Sequence, residues 1–341
     1  MSDNGPIASI VLVASSGATS IQKTLACLKA QTVAGKLEVV LSARPSAMDE
    51  LNAIATTPFH SIKVVEADFT TSARARVPAI QSAQAEIIIF CEDHCFPTSA
   101  DWAERMIDAH KGGHAAVGPR MTNANPETPS SWANLLIEYG PWVGVEQSGE
   151  VELLPGHNSS YKRDVLLSYG DALGDMLEVE WLLHRDLREK GRSLWIEADV
   201  ASAHLNFSIM RNSIRLHLLE GWTFAASRAA KWSWPRRALY AVSFPAIFFV
   251  RAVRVSGMIL GNPVSRGMVF PTFWMSYFFL AMSAAGEGLG YALGEQGSRE
   301  ALGGMEYDRW NNIVAKEKSL AFESDTGLHD PVENHNEAVA S

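Results

Sequence analysis

The stretch EIIIFCEDHCFP, residues 86–97, places a short run of apolar, mostly β-branched residues directly before an acidic cluster. Runs of this length and composition favour a buried strand. In an open parallel sheet, ligands bind beyond the carboxyl ends of the strands. The stretch therefore predicts a strand over residues 86–90 with a ligand site at its end.

Similar apolar runs occur on both sides of this stretch, and segments with helical spacing separate them. Strands are predicted at residues 8–14, 37–41, 62–65 and 193–198, and helices at 21–31, 49–55, 72–85 and 175–190. Residues 112–161 are richer in Gly, Pro, Asn and Ser, and we expect mixed strand and loop there. The alternation predicts an α/β fold with a mainly parallel sheet flanked by helices on both faces.

Bulk composition limits the class of protein. The chain has 341 residues, of which 47% are hydrophobic and 20% charged, as in globular proteins. A net charge of -9 argues against nucleic acid as the main partner. The three cysteines, Cys27, Cys91 and Cys95, form no CxxC pair, so neither a disulfide framework nor a zinc site is predicted. This cysteine usage favours the reducing cytosol, and the N-terminus lacks the basic region of a signal peptide.

The composition changes after about residue 232, where two long apolar runs begin. The second, residues 268–294, is long enough for the roughly 20 residues that span a bilayer. The first, residues 238–250, ends at Arg251 and Arg254; it could span if these arginines snorkel, or lie flat at the interface. A pair of buried core helices is the alternative. Flanking basic residues predict a cytoplasmic side. The chain is therefore predicted to divide into an α/β domain at residues 1–231, a membrane-associated helical region at 232–296 and a polar acidic tail at 297–341.

The acidic cluster itself has two interpretations. Carboxylates at a strand end can hold a divalent metal, and such a metal can clamp a diphosphate. His94 would add a nitrogen ligand, which suits Mn²⁺ as well as Mg²⁺. Taken alone, however, so short a cluster is more typical of a solvated turn after a strand.

Several segments together resemble the family 2 glycosyltransferases, which have the GT-A fold. Residues 90–97 resemble the family's Phe-Leu-Asp-Asp-Asp-x-x-Pro signature, and SARAR at 72–76 resembles its Ala-Arg-Asn segment. PGHNSSYKR at 155–163 is similar to the Gly-x-Asn-x-x-x-x-Arg loop on the acceptor side, and EVEWLL at 178–183 to the Glu-Asp-x-x-Leu helix. Looser similarities follow at 220–228 and 286–291, the latter shared with membrane-attached bacterial members. The resemblance covers about residues 7–294.

The resemblance implies a GT-A-type, Rossmann-like fold followed by apolar C-terminal helices. It also implies an inverting transferase that moves a sugar from a nucleotide-sugar donor to a hydroxyl of a lipid-linked or polysaccharide acceptor, with Mn or Mg as cofactor. The expected location is a membrane, a bacterial inner membrane by the same resemblance, with the catalytic domain in the cytoplasm.

Roles carry over position by position. Glu180 matches the catalytic Asp and would be the general base, with Trp181 beside it raising its pKa; Glu178 is the neighbouring alternative. The expected metal ligands are Asp93, His94 and His204. The expected nucleotide-sugar contacts are Ser15, Arg74, Arg76, Glu92 and Asp93. The expected acceptor or sugar contacts are Gly156, His157, Asn158 and Trp181.

Two departures from the family pattern keep other functions open. His94 stands at the third acidic position, and Ser42-Ala43-Arg44 replaces the usual Asp pair after the second strand. They motivate the alternative of a catalytically inactive, membrane-anchored nucleotide-sugar-binding protein. A nucleotidyltransferase is a third possibility, but the loop ASSGAT at 14–19 lacks the basic residue that this class usually carries.

Overall fold

The structure is a computed structural model and describes residues 5–264, 266–322 and 328. These residues fall into two compact units, one built mainly from residues 5–122 and 145–204 and the other from 123–144 and 205–320. The strands are β1 Ala8–Val13, β2 Leu37–Ala43, β3 Ser61–Glu66, β4 Ile87–Cys91, β5 Cys95–Pro97, β6 Ala116–Asn123, β7 Gly149–Glu150, β8 Ser160–Lys162 and β9 Leu194–His204.

The first unit is built on a mixed sheet. Among the described residues the strand order is β3-β2-β1-β4-β8-β6-β9-β5, and β7 pairs with β9. β3, β2, β1 and β4 are parallel, as the βα alternation predicted, whereas β8 and β5 pair antiparallel with their neighbours. The predicted α/β fold is confirmed.

Helices cover the parallel strands because each buries an apolar stripe against them. The helices of this unit are α1 Ala18–Lys29, α2 Met48–Asn52, α3 Ser72–Ser82, α4 Trp102–Ala109, α6 Arg163–Leu167, α7 Leu173–Glu178 and α8 Glu180–Glu189. The largest core cluster joins β1, β2 and β4 to α1 and α4, with Ile10, Leu12, Leu28 and Trp102 fully buried. This core fixes the carboxyl ends of β1 and β4 side by side.

One long predicted helix is divided in the structure. Residues 175–190 were expected to be continuous, but Val179 takes φ -125° and ψ 71°, which an α-helix does not accommodate. α7 therefore ends at Glu178 and α8 begins at Glu180. The break leaves Glu180 in the first turn of α8.

The second unit is helical. Its helices are α5 Pro129–Glu138, α9 Met210–Arg228, α10 Trp234–Val242, α11 Phe244–Gly261, α12 Arg266–Leu293, α13 Ser298–Tyr307 and α14 Ala315–Phe322. The helix α5 lies in the region predicted as strand and loop. The Thr128 side chain caps it by accepting a hydrogen bond from the Ser131 amide, and Pro129 occupies its first turn.

α9 and α12 cross at very close range because glycines line the contact. A Cβ atom added at Gly221 would lie 2.0 Å from the Ser283 carbonyl oxygen, and one at Gly286 would lie 2.1 Å from that of Leu218. Gly290 similarly approaches Trp222, at 2.3 Å. No side chain fits at these positions, so the glycines set the helix separation.

The first apolar run is divided between the end of α10 and the start of α11, and the second lies mainly in α12. By length and composition alone, α11 and α12 could each cross a membrane. Two such helices are weak evidence, since core helices of soluble proteins satisfy the same criteria. α13 and α14 lie in the stretch predicted as a polar tail, and beyond residue 322 the structure describes only residue 328 of it. The boundaries predicted at residues 231 and 296 stay predictions.

Candidate active site

The acidic cluster forms the turn that joins β4 to β5. β4 ends at Cys91, residues 92–94 form a turn, and β5 starts at Cys95. β5 pairs antiparallel with β9, and Cys95 lies opposite His204. This register brings His204 beside His94, with ring centroids 5.0 Å apart in an edge-on arrangement.

Three buried side chains at this turn could hold a metal ion. Ligand atoms of Glu92, His94 and His204 all lie within 4.8 Å of one another. Nε2 of His94 is buried and lacks a hydrogen bond within the described part of the chain, and Oε2 of Glu92 lies 3.6 Å away. One carboxylate oxygen and two imidazole nitrogens suit Mn²⁺ and similar divalent ions. The residues present therefore fit the predicted cofactor.

Asp93, predicted as a metal ligand, makes different contacts. Its Oδ1 lies 2.6 Å from Nδ1 of His94, and its Oδ2 accepts a hydrogen bond from the hydroxyl of Ser15, which follows β1. A carboxylate on one ring nitrogen orients the other nitrogen of a histidine toward a metal. The structure thus brings Glu92, rather than Asp93, together with the two histidines.

Glu92 is surrounded by donors and positive charge. Oε2 accepts a hydrogen bond from Nδ2 of Asn158 at 2.9 Å, and Oε1 lies 3.6 Å from Nη2 of the fully buried Arg76. Burial alone would raise the pKa of this carboxyl, but the charges of His94, His157 and Arg76 and the His157 hydrogen bond outweigh it and hold the pKa well below its usual range. Glu92 is therefore ionised at neutral pH.

The turn at Gly156–Asn158 connects this carboxylate to the predicted base. His157 uses both ring nitrogens: Nδ1 lies 3.5 Å from Glu92 Oε1, and Nε2 lies 2.9 Å from Glu180 Oε1. Burial opposes a charge on His157, but the Glu180 carboxylate prevails and raises the pKa of His157 to about 9. An imidazolium consequently lies between the two carboxylates.

Gly156 gives Glu180 its space. A Cβ atom at position 156 would lie 2.4 Å from the Glu180 carboxyl carbon and 2.5 Å from its Oε1. Any other residue there would displace the carboxylate. Gly156 therefore leaves room for the Glu180 carboxylate, and His157 forms an ion pair with it. Asn158 donates a side-chain amide hydrogen bond to Glu92.

Two predicted site residues do not join these contacts. Arg74 pairs with Asp175 and lies 3.8 Å from Glu178, and its side chain is about half exposed. Trp181 is 46% exposed, with the Arg185 guanidinium 5.6 Å from its ring centroid. The other predicted residues, Ser15, Arg76, Glu92, Asp93, His94, Gly156, His157, Asn158, Glu180 and His204, form one connected set of contacts.

Sequence reasoning missed two relationships. The grouping of Glu92 with His94 and His204 was not predicted, and the double contact of His157 was not anticipated. The separation of Glu92 and His94 by two positions could have indicated that their side chains lie together. No local signal reveals the second, because His157 meets residues far from it in the chain.

Comparison with known proteins gives one family match. Residues 9–170 match the family model described as Glycosyl transferase family 2. By this match, residues 9–170 belong to the glycosyltransferase class. More specifically, residues 9–170 are a family 2 glycosyltransferase domain, as the motifs predicted. No curated protein matches the chain.

Solved structures with a similar fold include glycosyltransferases with bound nucleotide. A crystal structure of GalNAc-T7 with UDP, GalNAc and Mn²⁺ is 13% identical with a TM-score of 0.44, covering 60% of this chain. This chain spans only 44% of that protein. The mannosyltransferase PcManGT from Pyrobaculum calidifontis, in complex with GDP-Man and Mn²⁺, is 16% identical with a TM-score of 0.42, covering 94% of this chain and 86% of its own.

Proposed function

We propose that this glycosyltransferase moves a sugar, with inversion, from a nucleotide-sugar donor to a hydroxyl of a lipid-linked or glycan acceptor at a membrane. The observation that carries the proposal is the pair of carboxylates joined by His157. One of them, Glu180, is partly open to solvent, whereas the other, Glu92, is buried with two histidines. An inverting transfer needs such a division between a base for the acceptor and a site for the leaving diphosphate.

Glu180 is the proposed base. Its carboxylate takes the proton of the acceptor hydroxyl as that oxygen bonds to the anomeric carbon, on the face opposite the diphosphate. The bond from the anomeric carbon to the diphosphate breaks, and its electron pair leaves with the diphosphate. His157 keeps the Glu180 carboxylate in place through the 2.9 Å contact with Oε1.

Glu92, His94 and His204 would hold the divalent ion, Mn or Mg. When bound, such an ion stabilises the charge of a leaving diphosphate. Asp93 orients His94, and Ser15 fixes Asp93 in turn. The buried guanidinium of Arg76 offsets the negative charge of Glu92, so that the carboxylate stays ionised in a buried position.

The same contacts bear on the inactive-binder alternative, which was motivated by His94 replacing an acidic residue. Because His94 lies with Glu92 and His204 in a group suited to a metal, this departure does not remove the means to bind one. The membrane part of the proposal is supported by α11 and α12, whose length and apolar composition suit a lipid environment.

A donor screen tests the proposal. Detergent-solubilised protein would be incubated with UDP-, GDP- and dTDP-sugars in Mn²⁺, Mg²⁺ or EDTA, and released nucleotide would be measured. We expect metal-dependent release from one donor, lost in His204→Ala and retained in His60→Ala, which changes an exposed histidine. Tight nucleotide binding without release, even after addition of a membrane extract as acceptor source, would favour the inactive binder.

A further inference from the structure

The helices of the second unit carry a charge opposite to that of the whole chain. Residues 229–286 contain six Lys or Arg and no Asp or Glu, although the chain has a net charge of -9. The six are Lys231, Arg236, Arg237, Arg251, Arg254 and Arg266. Each lies on, or next to, α10, α11 or the first turn of α12. Clusters of basic residues on apolar helices are the usual signature of binding to anionic lipid.

The same helices expose large apolar side chains. Trp234, Val242, Phe249, Val253, Phe270 and Trp274 are each more than 60% exposed. On α11 the exposed Phe249, Val253 and Leu260 recur at intervals of four and seven residues, and the buried Ala252, Val255 and Ile259 lie on the other side. Exposed apolar surface of this kind marks an interaction site. Its basic surroundings match the charge of an anionic membrane surface.

α11 is poorly suited to crossing that membrane. Its 18 residues lie near the lower end of the roughly 17–25 that a span needs. Arg251 and Arg254 lie near its middle, and Arg254 is exposed. Arg251 is held by an ion pair, with Nη2 2.6 Å from Oε1 of Glu287 on α12. The pair ties the centre of α11 to the second half of α12.

α12 is long enough to span, but its second half is committed to α9. The contacts of Gly286 and Gly290 bring the two backbones together without intervening side chains. α9 carries Arg211, Arg215, Glu220 and Arg228. Since each charged residue at a bilayer centre costs about 2.5–3.5 kcal/mol or more, α9 does not accompany α12 into hydrocarbon. Only the first half of α12, with Phe270 and Trp274 exposed, is free to enter lipid.

We propose that α10, α11 and the first half of α12 lie in the headgroup region of one leaflet of an anionic membrane and do not cross it. The inference rests on the membrane association proposed above, and it specifies the mode of that association. Its test measures lipid binding and topology rather than sugar transfer, so that failure of one proposal leaves the other measurable.

Vesicle flotation tests the lipid chemistry. We expect the purified full chain to float with phosphatidylcholine vesicles that contain phosphatidylglycerol, and to be released by high salt. The double variant Lys231→Glu/Arg254→Glu should bind at least about tenfold less, and Arg192→Glu, an exposed control in the other unit, should bind as the wild type does. Equal flotation with phosphatidylcholine alone, or none with either vesicle, would overturn the proposal.

Cysteine labelling tests the topology. Single cysteines at Ser243→Cys and Gly261→Cys bracket α11, and Gly267→Cys and Glu295→Cys bracket α12. The wild type is the blank, because all three native cysteines are buried. In right-side-out and inverted membrane vesicles of the expressing cells, an impermeant maleimide should label both members of each pair from the same side. Labelling of either pair from opposite sides would show a crossing helix and refute the proposal.

Discussion

Nε2 of His157 lies 2.9 Å from Oε1 of Glu180, and Nδ1 of the same ring lies 3.5 Å from Oε1 of Glu92. One imidazole therefore positions two carboxylates with different proposed roles. We expect His157→Gln to lower kcat by about 100-fold, since displacements near 1 Å are enough for such losses. His60→Gln, at an exposed position, is the control in the same steady-state assay. Unchanged kcat in a folded His157→Gln protein would contradict the positioning role.

Gly156 allows a test that leaves every polar group in place. In Gly156→Ala the new methyl group would lie 2.4 Å from the Glu180 carboxyl carbon, so the carboxylate must move. Because the displaced atoms are the end of a flexible side chain, we expect kcat to fall about tenfold or more with little loss of stability. The matched variant Gly149→Ala meets nothing within 4 Å and should keep wild-type kcat. Equal activity of the two variants would argue against a fixed position for Glu180.

The motif predicts Glu180 as the base and leaves Glu178 as the alternative. The structure separates them: Glu180 contacts His157, and Glu178 lies 3.8 Å from Arg74. Glu180→Gln keeps the shape but removes the proton acceptor, so we expect transfer to fall by about 10²–10⁴. Glu178→Gln should lose less than about tenfold. Initial rates at saturating donor and acceptor measure both, and the reverse order would move the base to Glu178.

The half of the site that follows from local sequence was predictable. The run IIIF at 87–90 defines β4, and a strand of this kind ends where the acidic residues begin. Helical structure around Glu180 was also predicted, although the break at Val179 that puts Glu180 at a helix start was not, because a single non-helical residue leaves the helical spacing unchanged. α5 was missed because Thr128-Pro129 resembles a loop and a helix start equally well.

The other half depends on strand pairing and on the conformation of one turn. His204 meets His94 only because β5 and β9 pair in the register that places Cys95 opposite His204, and no local pattern encodes that register. The turn at residues 92–94 decides that Glu92, rather than Asp93, joins the histidines. Both contacts depend on the tertiary structure, which the hydrophobic periodicity of the sequence does not predict.

Arg76 and Arg74 occupy the same helix, α3, and differ in burial. Arg76 is fully buried against Glu92, whereas Arg74 is half exposed beside Asp175. Removing one partner of a buried ion pair typically costs about 3–5 kcal/mol, so Arg76→Met should reduce the free energy of unfolding by that amount. Arg74→Met should cost about 1 kcal/mol or less. Urea denaturation compares them, and similar values would show that the Arg76–Glu92 pair is not a structural requirement.

From the burial of His110 we expect the free energy of unfolding to fall at acid pH, independently of the active-site carboxylates. Its ring nitrogens lie 3.1 Å from the His114 carbonyl oxygen and 2.8 Å from the Ser160 hydroxyl, and burial lowers the pKa of His110 from 6.5 to about 4. The folded protein keeps this histidine neutral, whereas the unfolded chain protonates it below pH 6.5. Its contribution to stability is therefore complete above pH 6.5 and is lost as the pH falls to 4.

The loss should amount to about 3 kcal/mol in the free energy of unfolding. Urea denaturation at a series of pH values measures it, and His110→Gln provides the comparison because glutamine does not titrate. The wild type should lose more stability than the variant between pH 6.5 and 4, and the two curves should run parallel above that range. Parallel curves throughout would mean that His110 is protonated as readily in the folded protein as in the unfolded chain.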